Sequence, residues 1–196
     1  MTFEETKEES RLACLGAIME HADAIREQAK SCGLQPVRLL KAICHCESSC
    51  GVHLDPGTHR IASRFEPSYA PGGKYHNVGQ WDRWGIPAAS SHGPMQLMYA
   101  TAILEGYAED TDPLDDAEGL HRPDVGIRLG VLHVGRLLDR LLAYRDTEAG
   151  RRDQRQELEL VLDAYNSGSF AGFRPVEYVR RGSKEYGRHT EGARHP

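Results

Sequence analysis

Apolar residues recur along this chain at three- to four-residue intervals, a period that predicts helices separated by one long irregular stretch. Leu12, Leu15, Ile18, Met19, Ala22, Ile25 and Ala29 mark a first amphipathic helix, with Ser10 suited to its N-cap and Gly33 to its exit. A second helix begins near Pro36 and carries Leu40, Ile43 and Cys44 on one face. Residues 51–92 then break the helical period with glycines, prolines and scattered aromatics. An irregular stretch of that length inside a compact domain is usually functional, and Phe65, Tyr69, Tyr75, Trp81 and Trp84 argue against disorder. Pro94 fits the first position of a short helix through Met98 and Ala102, and Asp112-Pro113 suits another helix start. The strongest pattern runs from Pro123 to about Tyr144, with Ile127, Val131, Val134, Leu137, Leu138, Leu141 and Leu142 as its buried side. Gly126, Gly130 and Gly135 weaken that helix by about 1 kcal/mol each relative to Ala, which points to close helix packing as their use. A polar stretch, Arg145 to Gln156, leads to a helix with Leu158, Val161, Leu162 and Tyr165 in its stripe. No strand pattern of comparable length and no internal repeat is present. The predicted class is mostly α: an N-terminal helix over 1–34, a single helical domain over 35–186 and a flexible tail over 187–196.

Charge and cysteine content narrow the partners. A formal net charge of −5 and a sequence pI near 6.1 argue against a nucleic-acid binder. No run approaches the ~18 apolar residues that a membrane-spanning helix needs, so no membrane insertion is expected. The first ten residues carry Glu4, Glu5, Glu8 and Glu9 and no apolar core of a secretory leader. The expectation is a monomer, cytoplasmic until released or exported. Five cysteines cannot form a complete disulfide framework, so most are read as thiols.

Glu47 is the most informative position. It lies three and four residues beyond Cys44 and Ile43, so it continues an apolar stripe where a side chain should be buried. It also lies near a helix C-terminus, where the dipole is negative. Desolvation and dipole both disfavour the anion and should raise its pKa, as a general acid near neutral pH requires. The plain alternative is a glutamate turning outward as the helix ends at Ser48 and Ser49.

The words around it carry a family pattern. Glu47-Ser48 after Leu39-Leu40-Lys41-Ala42-Ile43 resembles the "ES" motif of soluble lytic transglycosylases and goose-type lysozymes. Ser91-His92-Gly93-Pro94-Met95-Gln96-Leu97-Met98, continued by Thr101-Ala102, is similar to that superfamily's next segment, with Pro94 where leucine is common. Leu129-Gly130 with Leu137-Leu138 resembles its glycine-bearing helix, Ala164-Tyr165-Asn166-Ser167-Gly168 its A-Y-N-x-G motif, and Glu177-Tyr178-Val179 its closing tyrosine. Order and spacing agree over roughly residues 36–186. The resemblance implies a lysozyme-like helical fold acting on peptidoglycan glycan strands at the cell wall without a cofactor. By it Glu47 is the acid/base, and Met95, Gln96, Tyr165 and Asn166 line the groove, with Ser91 opening the segment that carries two of them.

Other readings stand beside this one. Gln96 lacks a capping partner if Pro94 opens a helix, which favours a ligand-facing amide. Tyr165 is core by period, and Asn166 is a natural helix-end residue. Glu66, in an Arg64-Phe65-Glu66 segment that resembles phage muramidase-like relatives, is either a second carboxylate that contacts substrate or a salt-bridge partner of Arg64. Tyr69, Tyr75, Trp81 and Trp84 either stack on sugars or fix the long stretch. Cys46, Cys50 and His53 could share a zinc ion, but a fourth ligand is missing locally; no metal is expected. The expected activity is lytic transglycosylation by a single glutamate. The alternatives are a hydrolytic lysozyme with a second carboxylate, an inactive glycan-binding module and a zinc-binding interaction domain.

Overall fold

The structure is a computed structural model that describes residues 2–107, 113–170 and 176–191. It is mostly helical, as the periodicity predicts, with a small three-stranded sheet, two strands of which lie in the irregular stretch. The helices are α1 (Phe3–His21), α2 (Arg26–Ser31), α3 (Pro36–Ser48), α4 (Val78–Trp84), α5 (Tyr99–Leu104), α6 (Pro113–Gly119), α7 (Pro123–Arg145), α8 (Glu148–Arg152), α9 (Glu157–Ser167) and α10 (Val176–Glu191). Among the described residues no helix is long and apolar enough to cross a membrane. The chain divides into two compact units, Met1–Ala17 with Glu47–Gly130, and Ile18–Cys46 with Val131–Pro196. The expected boundaries at 34 and 186 do not coincide with these, and residue 187 falls inside α10.

In the first unit, strands β1 (Arg64–Phe65), β2 (Ser90–His92) and β3 (Leu97–Met98) pair antiparallel in that order. Their register sets Arg64 opposite Ser91, Ser91 opposite Met98, and His92 opposite Leu97. Strands of two or three residues are too short to show an alternating pattern, so the sequence gives no sign of them. The same holds for α4, whose start is fixed by a local device: Asn77 accepts a hydrogen bond from the Gln80 N–H at 3.0 Å.

The Gly93–Met98 segment corrects the expected helix at Pro94. Gly93 and Gln96 both have positive φ, +74° and +46°, so the backbone turns into β3 and the helix begins only at Tyr99. Gly93 admits no side chain, because a Cβ there would lie 2.0 Å from the Leu120 carbonyl oxygen. The tight packing expected of the α7 glycines is present. A Cβ on Gly130 would lie 2.5 Å from Met95 Cγ, so the absence of one lets buried Met95 sit directly on the helix backbone. Ser10 is also corrected: α1 starts seven residues earlier, and the Ser10 hydroxyl instead donates to the Gly51 carbonyl at 2.7 Å. Asp112, read as a helix cap, lies outside the described residues.

The second unit is built from the strong stripes. Leu40, Ile43 and Cys44 of α3 are fully buried, as are Val134, Leu138 and Leu141 of α7 and Leu160, Val161 and Leu162 of α9. Complete burial of each large aliphatic side chain contributes about 1.5–3 kcal/mol. Within α9, Leu160 is buried where the period places Leu158, which is only half-buried. Gly33, with φ +68°, follows α2 as expected, but Ala22–Ile25 forms a 3-10 turn that breaks the predicted first helix in two.

Candidate active site

Glu47 occupies the last turn of α3, and its side chain is 5% exposed, as the stripe predicts. The chain reverses immediately after it through Ser49, Cys50 and Gly51, all at positive φ. Ser48 holds that reversal in place: its buried hydroxyl donates to the Pro94 carbonyl at 2.8 Å and accepts from the Gly51 N–H at 2.8 Å. The serine of the Glu47-Ser48 pair therefore ties the helix end to the Gly93–Gln96 turn.

Gln96 makes the matching tie from the other side. Its amide nitrogen donates to the Ala62 carbonyl at 2.9 Å and to the Gly93 carbonyl at 2.8 Å, and its amide oxygen accepts from the Ser91 hydroxyl at 3.0 Å. Both ends of the buried amide are thus engaged by protein. Ser91 is buried on β2 and Met95 is buried against Gly130, so these two build the wall behind the site.

A cleft of about 150 Å³ opens beside Glu47, lined also by Ser48, His53, Ala62, Ser63, Arg64 and Gln96. Arg64, on β1, stands at its edge between two carboxylates. Its Nη2 is 3.9 Å from Glu47 Oε2, and its Nε donates to Glu66 Oε1 at 2.5 Å. The pairing of Glu66 with Arg64, one of the two roles read from the sequence, is present. Structure thus brings Glu47, Gln96, Ser91 and Glu66 together in one unit, with Met95 behind them.

Tyr165 and Asn166 belong to the other unit, at the end of α9. Tyr165 is half-buried with its ring edge-on to His133 at 5.5 Å, and Asn166 is exposed. The helix ends just beyond them at Gly168, which takes the left-handed conformation with φ 76°. The aromatics of the irregular stretch differ in burial. Trp84 packs edge-on against buried Tyr99 at 5.4 Å, whereas Tyr69 and Tyr75 form an exposed pair at 5.5 Å.

All five cysteines are thiols, and burial pushes the Cys32 thiol up to about 11. Among the described residues no three His, Cys, Asp or Glu side chains converge as a metal site. Sequence reading missed a cluster of Ser63, His92 and His121, whose members are 29 and 58 residues apart and so carry no spacing signal. Compared with protein-family models, curated proteins and solved structures, the chain shows no match.

Proposed function

We propose that this chain is a peptidoglycan-cleaving muramidase of lytic-transglycosylase type, with Glu47 as its acid/base. The observation that carries the reading is a carboxyl group withdrawn from water at a helix end and facing a cleft. Exclusion of water favours the protonated acid, while the Arg64 guanidinium at 3.9 Å favours the anion, so the two influences oppose each other at one group. A residue that first gives a proton and then takes one needs access to both forms.

In the proposed reaction Glu47 protonates the glycosidic oxygen between N-acetylmuramic acid and N-acetylglucosamine, and the bond to the muramoyl carbon breaks. The Glu47 carboxylate then removes the proton of the muramoyl 6-hydroxyl as its oxygen bonds to that carbon. The product is a 1,6-anhydro end, and Glu47 is again protonated. A two-carboxylate hydrolase would need an additional Asp or Glu placed to attack or to activate water. Glu66 is bound to Arg64, which suits it to holding that guanidinium in place. The motif ties of Ser48 and Gln96 support the reading as well, since they brace the backbone on either side of the acid.

Digestion of purified sacculi with mass spectrometry of the muropeptides tests this. Anhydromuramic ends, lighter by one water, are expected, and Glu47→Gln should lower their yield about 10³- to 10⁴-fold while circular dichroism shows an intact helical fold. Near-normal activity in that variant sinks Glu47 as the acid. Reducing ends that disappear in Glu66→Gln would establish the hydrolytic alternative instead.

A further inference from the structure

Ser63 lies outside every motif discussed above. It is exposed, just ahead of β1, and its hydroxyl oxygen sits 3.0 Å from His92 Nδ1 and 3.0 Å from His121 Nε2. The other ring nitrogen of His121, Nδ1, hydrogen-bonds the Ile61 carbonyl. A carbonyl only accepts, so Nδ1 carries the ring proton and Nε2 of the neutral imidazole presents its lone pair to Ser63. The Ser63 O–H then donates to His121. His92, buried, sets its Nδ1 beside the same oxygen, and the Pro87 carbonyl also acts on its ring. Both rings are kept neutral: burial depresses each, taking His92 down to about 4 with the nearby His121 adding to the effect.

This is a hydroxyl with a base to take its proton, and the base is oriented by a third group, the Ile61 carbonyl. It opens on a cleft of about 550 Å³ lined also by Arg60, Pro87 and Glu118. We propose that Ser63 is a serine-hydrolase-type nucleophile, with His121 as its general base, that accepts the acyl group of a small ester. The Ser63 oxygen bonds to the ester carbonyl carbon as its proton passes to His121 Nε2. The ester C–O bond breaks, and the leaving alkoxide takes that proton from His121. Water, deprotonated by the same imidazole, then releases the acyl group as a carboxylic acid and restores Ser63. Ser63 also borders the Glu47 cleft, but no step of this reaction uses the Glu47 carboxyl.

The test uses the full chain with p-nitrophenyl acetate and, separately, a fluorophosphonate probe read by peptide mass spectrometry. Wild type should release nitrophenolate well above heat-denatured protein and take one phosphonyl group on Ser63. Ser63→Ala should lose both signals. His121→Gln, shown folded by circular dichroism, should label at least about 100-fold more slowly. Labelling of the wild type should fall with acid only below the range where a free imidazole titrates, as His121 gains a proton; the charged groups facing that ring are Arg60 and Glu118, with His92 across Ser63. Equal esterase rates in wild type and Ser63→Ala, an unmodified Ser63, or wild-type labelling by His121→Gln would each overturn the proposal.

Discussion

Each unit holds an arginine between two carboxylates, and the two arrangements are opposite in character. In the second unit Arg155 donates to Asp163 Oδ2 at 2.6 Å, to Asp153 Oδ2 at 2.6 Å and to the Phe170 carbonyl. Its side chain is 14% exposed, and that of Asp163 only 2%. Tyr144 adds a hydrogen bond to Asp153 at 3.1 Å, and Arg155 holds the Asp153 carboxyl well below the usual carboxylate range. In the first unit Arg64 is 57% exposed, touches Glu66 closely, and reaches Glu47 only at 3.9 Å, longer than a hydrogen bond. The buried arrangement locks a loop onto α9. The open one leaves a withdrawn carboxyl beside a cleft with a cation at its rim. Same residue types, different burial, and so different work.

Removing the buried guanidinium should have the largest effect. Arg155→Met leaves Asp163 charged and enclosed, a loss of about 3–5 kcal/mol. For a chain of this size that corresponds to a fall in melting temperature of roughly 6–20 °C. Calorimetry showing a loss below about 1 kcal/mol would break the contrast from this side.

Acid titration should separate the units next. The native pKa of His92 is lowered, so the unfolded chain binds more protons between about pH 4 and the usual ~6.5 of the free residue. Stability must then fall as pH drops through that window and level off below about 4. The depression amounts to about 3 kcal/mol at most, at ~1.36 kcal/mol per pKa unit. Asp153 acts lower. Its depressed native pKa contributes stability above the unfolded value of ~3.9 that is lost as pH falls below it. Urea unfolding between pH 7 and 3 should show both stages, and His92→Gln should shrink only the first, leaving the smaller part that His121, also depressed by burial, supplies. A first stage unchanged by that substitution assigns the window to some other group.

The second unit was the legible one. Long stripes at helical period mark α3, α7 and α9, because burial of one face repeats over three or more turns. The same logic placed Glu47 inside, since nothing local turns the last residue of a stripe outward. Much of the first unit was not legible. β1–β3 are too short to have a period, and α4 starts from a single Asn77 cap. Pro94 looks like a helix opening, yet positive φ at Gly93 and Gln96 overrides it, and Gly93 packs against the Leu120 carbonyl, 27 residues away in sequence, where no side chain fits. The role of Gln96 was hidden for the same reason. Its amide is committed to Ala62, Gly93 and Ser91, and the Ala62 contact spans 34 residues. Ser63, His92 and His121 meet only after these turns form.

The smallest expected effect on stability belongs to Arg64, and it sharpens the comparison most. With 57% of its side chain in water, its ion pairs are well screened, so Arg64→Ala should change stability by no more than about 1 kcal/mol. Its effect on chemistry has a definite sign. Without the guanidinium the Glu47 anion loses the attraction of that cation, so the acid form should persist to higher pH. On the proposed reading, the alkaline limb of kcat/KM against pH, which reports the acid of the free enzyme, should therefore move upward while the melting temperature barely changes. A fall in melting temperature approaching that of Arg155→Met would make Arg64 a structural lock like its counterpart. An unmoved alkaline limb with measurable activity would mean that the guanidinium has no hold on the acid at all.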